Sequence, residues 1–550
     1  MGAEMVRLEP ETANFDCADA RMHPNVCSYA KAVLEEFSRG NCDGLILTTC
    51  CDSIRRLYDV LHAGYPKKFI RILDVPRLEN EEAVHLYAAR IKALAEDYAV
   101  FSGRKFEEEE LRRLLLCRAG AVQDHVKTSV PPGAPRIALL GARYGKSLRE
   151  LLEKAGANLV LDMTCEGTPR AFSASAEGAP VLDCYARQLL GQLPCLRMAD
   201  VSERKKQLCR FTDEIDGIIY HTVKFCDVYS YEYSILRRKT EIPLLKLETD
   251  TTPQCAGQLQ TRIEAFLETL HAVDGKQVIK KNAGKKENRH LYVLGIDSGS
   301  TSTNAAILNG KKEIITSGTI RTGAKTTESA GRILDEVLGK AGLSRSDLSL
   351  IVSTGYGRVS IPFADRSVTE ISCHGKGARY FNPNIRTILD IGGQDSKAIR
   401  LNEQGEVADF AMNDKCAAGT GRFLEAMART LELDISELGP VSLRAKEDVA
   451  ISSMCTVFAE SEVISLIAQN KEKADIARGV HRAIAGKVCS LLSRVNPEPE
   501  YMMTGGVAKN PGVVKAVEEK LGAKMYLCPD PEIVGAVGAA LFGLESFGVA

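Results

Sequence analysis

Three glycine-containing segments, each directly after a predicted strand, constrain the fold of this chain more than any other feature. They are Gly295–Thr303, Asp390–Lys397 and Thr504–Asn510. Glycine lets backbone N–H groups approach anionic oxygens, and it adopts positive φ without a steric penalty. The first two segments share one order, in which a strand ends at an aspartate and a glycine turn follows. The C-terminal half is therefore predicted to be a duplicated α/β module.

The same segments supply the residue types that a magnesium–nucleotide site needs. Asp297 and Asp390 carry carboxylates that can hold Mg²⁺, mostly through water. The third segment places Gly-Gly between a strand and a helix start, which suits a nucleoside and its phosphates. The residues predicted to contact phosphate or nucleoside are Ser298, Gly299, Ser300, Thr301, Gly392, Gly393, Gly505 and Gly506.

The cysteines are the other unusual feature, because the chain has 17 of them. Cys416 precedes a small-residue turn and a helix predicted to open at Arg422, and Cys455 precedes a second helical run. A thiol at a helix N-terminus lies near backbone N–H donors and the positive end of the helix dipole, which favours the metal-binding thiolate. Two thiolates are too few for a four-cysteine iron–sulfur site. We therefore expect a second copy of the chain to supply the other two.

Short apolar runs alternate with helical stretches before residue 272, which predicts a parallel sheet in each of two lobes. A repeat relates the lobes, because Asp43-Gly44 and Asp216-Gly217 each begin a strand that leads to a Cys-Asp pair. The carboxyl ends of such strands are expected to meet across a crevice, where these sheets bind ligands. The cysteines near strand or helix ends are Cys27, Cys50, Cys51, Cys165, Cys195 and Cys226.

Breaks in composition divide the 550 residues into four segments. Pro131-Pro132-Gly133-Ala134-Pro135 separates the two lobes, and a lysine-rich stretch without apolar periodicity precedes the duplicated module. The predicted segments are a first lobe 1–130, a second lobe 131–272, a basic linker 273–290 and the duplicated module 291–550.

Bulk properties argue against several classes of partner. A net charge of −1 gives no electrostatic reason to expect nucleic acid or a membrane surface. The N-terminus shows no signal-peptide core, and no apolar run approaches the roughly 20 residues of a spanning helix. We expect a cytoplasmic protein whose thiols stay reduced. His221 and His374 show no metal-ligand spacing and are expected to be structural.

Residues 291–547 resemble the actin/sugar-kinase/heat-shock ATPase superfamily. Within it they resemble the activators of 2-hydroxyacyl-CoA dehydratases and the related benzoyl-CoA reductase ATPase subunits. The motifs that carry the resemblance are Gly295–Thr303, Asp390–Lys397, Asn413–Glu425, Cys455–Val463 and Thr504–Asn510.

This resemblance implies an actin-like domain with two ribonuclease-H-like halves that binds and hydrolyses ATP with Mg²⁺. It further implies a homodimer in which one 4Fe–4S cluster is held by Cys416 and Cys455 of each chain. Asp297 and Asp390 would contact the metal and phosphates, and Gln394 would orient the attacking water. A ferredoxin or flavodoxin is the implied electron donor.

Residues from about 10 to 272 resemble the iron–sulfur subunits of 2-hydroxyacyl-CoA dehydratases, and more closely the double-cubane-cluster proteins, which have a single kind of subunit. The matching residues are Val26–Ala30, Cys51–Ser53, Thr164-Cys165, Pro194–Met198 and Phe225–Asp227. The resemblance implies a further cluster, of 4Fe–4S or double-cubane type, held among the six cysteines named above. Dehydratases use two different subunits of this kind, whereas this chain contains one such module.

Three hypotheses follow. The first is an oxygen-sensitive, ATP-driven iron–sulfur reductase in one chain, acting on a small unsaturated molecule or an acyl-CoA. The second is a dehydratase activator fused to one dehydratase subunit, which needs a partner subunit. The third is a small-molecule kinase with an unrelated N-terminal binding module, which would contain no iron.

Overall fold

The computed structural model describes most of the chain. The described residues are 6–10, 12, 14–40, 42–118, 133–165, 180–191, 196–198, 202–252, 256–273, 291–413, 416–451 and 455–549. Cys195 and residues 274–290 of the predicted linker lie outside them. The chain forms two compact units, Met1–Ile263 and Glu264–Ala550, so the division falls inside the helix Ala256–Val273. The four segment limits stay predictions.

The first unit contains parallel strands with helices between them, as predicted. Its strands are β1 (Gly44–Thr48), β2 (Phe69–Leu73), β3 (Arg136–Gly141), β4 (Asn158–Thr164), β5 (Gly217–Val223) and β6 (Leu244–Thr249). Its helices are α1 (Asp16–Asp19), α2 (Ser28–Ser38), α3 (Asp52–Gly64), α4 (Glu81–Ser102), α5 (Glu108–Arg118), α6 (Gly145–Lys154), α7 (Val181–Leu190), α8 (Ser202–Arg210) and α9 (Asp227–Arg237). Helix α10 (Ala256–Val273) begins in this unit.

Two parallel sheets form the lobes. Strands β1 and β2 pair in one sheet, and the other has the order β4-β3-β5-β6. The predicted repeat is visible, because β1–α3–β2 and β5–α9–β6 follow the same path. In each case the helix begins directly after a cysteine and leads to a strand parallel to the first.

The second unit contains two mixed sheets. Its strands are β7 (Tyr292–Ser298), β8 (Ser302–Asn309), β9 (Ile314–Arg321), β10 (Leu348–Thr354), β11 (Arg366–Ser367), β12 (Thr387–Ile391), β13 (Ser396–Leu401), β14 (Val407–Asn413), β15 (Tyr501–Thr504) and β16 (Met525–Tyr526). Its helices are α11 (Thr326–Ala341), α12 (Glu370–Phe381), α13 (Gly421–Thr430), α14 (Ile435–Ser442), α15 (Thr456–Ala468), α16 (Lys473–Leu492), α17 (Pro511–Leu521) and α18 (Val534–Glu545).

The two sheets of this unit share one topology. Their orders are β11-β10-β7-β8-β9 and β14-β13-β12-β15-β16. In each, the central strand (β7 or β12) opens an antiparallel three-strand meander and pairs in parallel with a later strand, β10 or β15. The predicted actin-like fold with duplicated halves is confirmed. Along the described ranges, no helix combines the length and apolarity that crossing a membrane requires.

Helices α12 and α18 cross through glycines rather than side chains. A Cβ on Gly377 of α12 would lie 2.1 Å from the carbonyl oxygen of Val534. A Cβ on Gly538 of α18 would lie 1.8 Å from the carbonyl oxygen of Cys373. The two backbones are therefore in direct contact, and no larger residue fits at either position.

Gly538→Ala should destabilise the chain by roughly 1–3 kcal/mol, because the added methyl must push two helix backbones apart. The matched control is Gly331→Ala in α11, where a Cβ would meet no atom within 4 Å. That control should leave stability unchanged or raise it by up to about 1 kcal/mol, since alanine favours the helix. Urea unfolding measures both variants, and equal stability of the two would contradict the proposed packing.

Candidate active site

Asp297 and Asp390 occupy the same position in the two halves. Asp297 lies in β7 opposite Asn304 of β8 and Thr354 of β10. Asp390 lies in β12 opposite Lys397 of β13 and Thr504 of β15. Both side chains are buried. The duplication therefore brings one carboxylate from each half to the carboxyl end of a central strand.

A fourth glycine turn, which the sequence patterns did not reveal, completes this symmetry. Gly355 follows β10 with a φ of +84°, and Gly505 follows β15 with a φ of +83°. A Cβ would lie 2.4 Å from Asp297 Oδ1 at Gly355 and 2.8 Å from Asp390 Oδ1 at Gly505. Each turn thus packs its backbone against one aspartate, and the available signal was a Thr-Gly pair at the end of each strand.

His374 lies between the two aspartates, although the sequence suggested a purely structural histidine. Its Nε2 is 3.8 Å from Asp297 Oδ2 and its Nδ1 is 3.7 Å from Asp390 Oδ1. Its Nδ1 is also 3.3 Å from Thr504 Oγ1. Helix α12 carries this ring into the site, so His374 joins the set of candidate functional residues.

The two aspartates differ in their counter-charges. Lys397 Nζ lies 3.2 Å from Asp390 Oδ2 and 2.7 Å from Asp395 Oδ2. Burial would raise the pKa of Asp390, but His374 and Lys397 outweigh it and hold that pKa below its usual value. Asp297 faces Asn304 instead of a lysine. Burial therefore raises the pKa of Asp297 to about 6, against the opposing effect of His374.

Buried polar atoms in and beside the turns with the predicted phosphate contacts have no hydrogen-bond partner among the described residues. These atoms are Ser298 Oγ, Thr301 Oγ1, Asn304 Oδ1 and Ser396 Oγ. Buried polar atoms are normally satisfied, so a bound group accounts for them well. A Cβ on Gly393 would lie 1.9 Å from Thr301 Oγ1, so the two turns are in contact. These features fit a phosphate chain and Mg²⁺.

Three of the predicted glycines do not offer their own N–H to a ligand. The N–H of Gly299 donates to Ser302, that of Gly392 to Asp395, and that of Gly505 to Pro531. These glycines therefore shape the turns. Ser300 is exposed at the tip of the β7–β8 turn, and Gly506 opens a short 3₁₀ segment, Gly506–Lys509.

Hydrogen bonds join the β12–β13 turn to the helix that follows Cys416. The N–H of Gly421 donates to the Gly392 oxygen at 2.9 Å, and that of Arg422 donates to the Gly393 oxygen at 2.9 Å. With its amide oxygen turned towards Arg422, the orientation that satisfies both side chains, Gln394 accepts hydrogen bonds from the guanidinium, at 3.2 Å from Nε and 2.6 Å from Nη2. This pairing places the amide of Gln394, an exposed residue, beside the turn.

The two cysteines of this unit differ in their local setting. Cys455 directly precedes α15, as predicted. Cys416 does not head a helix, because α13 begins at Gly421 and Gly419 takes a φ of +94° between them. Asn413 holds this loop through a hydrogen bond from its Nδ2 to the Cys416 oxygen, 3.1 Å. Helices α13 and α15 pack together in one apolar core.

Three predicted thiols of the first unit precede helices. Cys27, Cys51 and Cys226 stand directly before α2, α3 and α9. The Cys51 sulfur accepts a hydrogen bond from the Ile54 N–H at 3.4 Å. The three thiols interact electrostatically with one another and with Arg197. N–H donors and a nearby cation suit an anionic iron–sulfur cluster.

The thiols of this group differ in their pKa values. Burial raises the pKa of Cys27, and it raises the pKa of Cys226 to about 11. A hydrogen bond from the Cys50 thiol lowers the pKa of Cys51 and correspondingly raises that of Cys50. Cys51 is therefore the thiol of this group that most readily becomes a thiolate, and Cys50 supports it.

Two predicted ligands of this unit, Cys165 and Cys195, remain to be placed. Cys165 follows β4, and its sulfur lies 2.6 Å from Tyr229 Oη. Cys195 lies outside the described residues. Within the part of the chain that the structure describes, no three His, Cys, Asp or Glu side chains are close enough to hold a single metal ion.

Comparisons with known proteins bear on both units. Residues 294–543 match the BadF/BadG/BcrA/BcrD ATPase family. The 2-hydroxyisocaproyl-CoA dehydratase activator of Clostridioides difficile is 44% identical over 255 residues, which cover 46% of this chain and 96% of that protein. The chain belongs to the BadF/BadG/BcrA/BcrD ATPase family.

Two further relatives match the ATPase-family half. The (R)-2-hydroxyglutaryl-CoA dehydratase activating ATPase of Acidaminococcus fermentans is 46% identical over 256 residues, covering 46% of this chain and 98% of its own. A benzoyl-CoA reductase subunit of Thauera aromatica is 36% identical over 213 residues, covering 38% of this chain and 75% of its own.

A second family model matches the N-terminal half of this BadF/BadG/BcrA/BcrD ATPase-family chain. Residues 1–120 and 114–270 match the 2-hydroxyglutaryl-CoA dehydratase D-component. The resemblances to dehydratase subunits and to dehydratase activators are therefore confirmed.

The raised pKa of Asp297 predicts a pH effect on stability. A carboxyl whose pKa is higher in the folded chain favours folding at low pH, and this contribution is lost as pH rises through about 6. Without nucleotide and with EDTA, Asp297→Asn should gain roughly 1 kcal/mol relative to the native chain between pH 5 and pH 7.5. Urea unfolding at both pH values measures it. A constant difference between the two proteins would contradict the assignment.

Proposed function

We propose that this chain uses ATP hydrolysis in residues 291–550 to transfer low-potential electrons to an iron–sulfur centre in its N-terminal module. The donor centre is a 4Fe–4S cluster shared by two copies of the chain. A ferredoxin or flavodoxin reloads the donor, and the N-terminal centre reduces a small unsaturated molecule or an acyl-CoA. The protein is cytoplasmic and oxygen-sensitive.

The hydrogen bonds between the β12–β13 turn and α13 carry this proposal. The turn contains Gly392 and Gly393, which stand beside the candidate nucleotide site, and α13 follows directly on the loop of Cys416. Asn413, opposite Ser396 in the adjacent strand, holds the other side of the Cys416 loop. A nucleotide that moved this turn would therefore move the loop of one predicted cluster ligand.

The ATPase residues have distinct proposed roles. Asp297 and Asp390 would hold Mg²⁺, and Lys397 keeps Asp390 ionised. Gln394, oriented by Arg422, positions the water that attacks the terminal phosphate. ATP and water give ADP and phosphate, and a ligand that prefers one conformation shifts the equilibrium towards it.

Cysteines of the N-terminal module hold one proposed iron–sulfur centre, and cysteines of residues 291–550 hold the other. Each centre would carry one electron at a time. Cys416 and Cys455 from each of two chains make the four ligands of the shared cluster. The first turn of α15 exposes Val457 by 67% and Phe458 by 64%, so an apolar surface adjoins Cys455 and suits a second copy. Cys27, Cys51 and Cys226 are the core of the second ligand set, which is a 4Fe–4S or double-cubane cluster. Cys50, Cys165 and Cys195 remain candidates.

The second candidate function is a dehydratase activator fused to one dehydratase subunit that needs a partner. The match of residues 1–270 to a dehydratase D-component favours it, as do relatives named as dehydratase activators. Stoichiometry separates the two functions. A stable complex with a related second subunit would support the dehydratase function, whereas turnover by the purified homodimer supports the reductase.

Cys416→Ser and Cys455→Ser should each abolish the shared cluster while leaving nucleotide binding unchanged. The expected loss is about two iron atoms per chain, half of a shared four-iron cluster. Iron analysis and size-exclusion chromatography under anaerobic conditions measure it. Cys489→Ser in α16 is the control and should keep its iron. Native iron content in both ligand variants would remove these cysteines from the site.

Cys51→Ser should abolish the second centre but leave ATP hydrolysis at the native rate, because Cys51 lies outside residues 291–550. Anaerobic EPR of the whole chain, reduced with and without ATP, should show the shared centre alone. Cys209→Ser, an exposed thiol of α8, should retain both signals. An unaltered spectrum for the Cys51 variant would refute its role as a ligand.

A further inference from the structure

The last turns of α10 belong to the second compact unit, Glu264–Ala550, which we call the ATPase unit. They contact the N-terminus of α12. Glu268 accepts hydrogen bonds from the N–H of Thr369 at 3.1 Å, from the Thr369 hydroxyl and from the Ser372 hydroxyl. Thr369 directly precedes α12, so the carboxylate caps that helix at the positive end of its dipole. Ala265 is fully buried in the same core as Ile371.

A second acidic residue, one turn earlier in α10, pairs with an arginine that contacts the Gly355 turn of the candidate active site. Glu264 forms an ion pair with Arg358 Nη2, and Arg358 Nη1 lies 3.6 Å from Glu370 Oε2 of α12. Arg358 Nη1 also donates to the Gly355 oxygen at 3.2 Å. The Arg358 side chain is only 4% exposed, so its geometry is tightly set.

These contacts approach the candidate active site by two routes. Through α12, the helix capped by Glu268 carries His374 between Asp297 and Asp390. Through Arg358, Glu264 is connected to the Gly355 turn, whose backbone packs against Asp297 Oδ1. We call Glu264, Glu268, Arg358, Thr369 and Ser372 the α10 clasp.

The clasp joins residues that belong to different families. Glu264 and Glu268 fall within residues 114–270, which match the dehydratase D-component. Arg358, Thr369 and Ser372 fall within residues 294–543, which match the ATPase family. The acidic half of the clasp therefore lies outside the matched ATPase segment, and neither family model alone contains the contact.

We propose that Glu268 is a positioning residue for ATP hydrolysis and that the clasp makes α10 respond to the nucleotide bound at the Asp297–Asp390 site. By capping α12, Glu268 holds His374 at the distance that both aspartates need. If a bound nucleotide shifts the position of α12, the hydrogen bonds between α12 and Glu268 of α10 change as well. This inference rests on the proposed nucleotide site but not on either iron–sulfur centre.

The test compares Glu268→Ala and Glu268→Gln with the native full-length chain. Glutamine keeps one carbonyl acceptor for the Thr369 N–H but loses the charge. Glu336→Ala is the matched control, because Glu336 pairs with Lys340 on the surface of α11, away from the clasp. ATP hydrolysis, binding of Mg²⁺ with a non-hydrolysable ATP analogue, and hydrogen exchange of residues 256–273 are measured for each protein.

In the native chain and in Glu336→Ala, the analogue should slow exchange in α10. In Glu268→Ala, kcat should fall about tenfold, the effect of losing one charged acceptor. The analogue should still bind, and the change in α10 exchange should disappear. Glu268→Gln should fall between the two, and it carries the test if the alanine variant does not fold. A purely structural role would lower stability but leave the exchange response intact.

Two results would overturn the inference. One is a native chain that binds the analogue without any change of exchange in α10, and the other is a Glu268→Gln variant with native kcat and native response. If the native chain binds no nucleotide, the proposed function itself fails, and the inference fails with it. Binding measurements on the native chain therefore separate the two failures.

Discussion

The burial of two carboxylates against one imidazole is the constraint on which the ATPase unit depends. Asp297 and Asp390 come from different halves of the duplication, and His374 lies within 4 Å of both. A buried charge is tolerated only when it is paired and hydrogen-bonded. Lys397 and Thr504 meet this need for Asp390, and Gly355 and Gly505 leave room for both carboxylates. The glycines and charged residues of these turns are therefore explained by two needs of the buried carboxylates, which are a counter-charge and room for their side chains.

The second organising feature is the series of main-chain hydrogen bonds that leaves this site. The turn after β12 bonds to the first residues of α13, and the loop of Cys416 lies directly before them. Main-chain bonds tie backbone to backbone, so a shift of the turn must be accommodated by the loop. Together with the clasp at the N-terminus of α12, this gives the ATPase unit two connections to elements outside its nucleotide turns.

Much of this architecture could be predicted, because local sequence patterns determine it. The parallel lobes follow from apolar runs that alternate with helices, and the duplication follows from the repeated strand–aspartate–glycine order. His374 could not be found in this way, because only the tertiary fold brings α12 to the aspartates. The helix after Cys416 begins at Gly421, one residue before the predicted Arg422, but the positive φ of Gly419 keeps Cys416 itself away from the helix N-terminus. The clasp was missed because Glu264 and Glu268 resemble any solvated acidic pair on a helix.

The duplicated halves match in backbone but differ at one pair of register-equivalent side chains. Lys397 faces Asp390, whereas Asn304 faces Asp297. Two halves with identical side chains at these positions would offer a nucleotide two equivalent orientations. The fixed ammonium of Lys397 removes that equivalence, because it offsets the negative charge of Asp390, whereas Asp297 has no lysine opposite it. One amino-acid difference between register-equivalent positions would therefore distinguish the two halves for a bound phosphate chain.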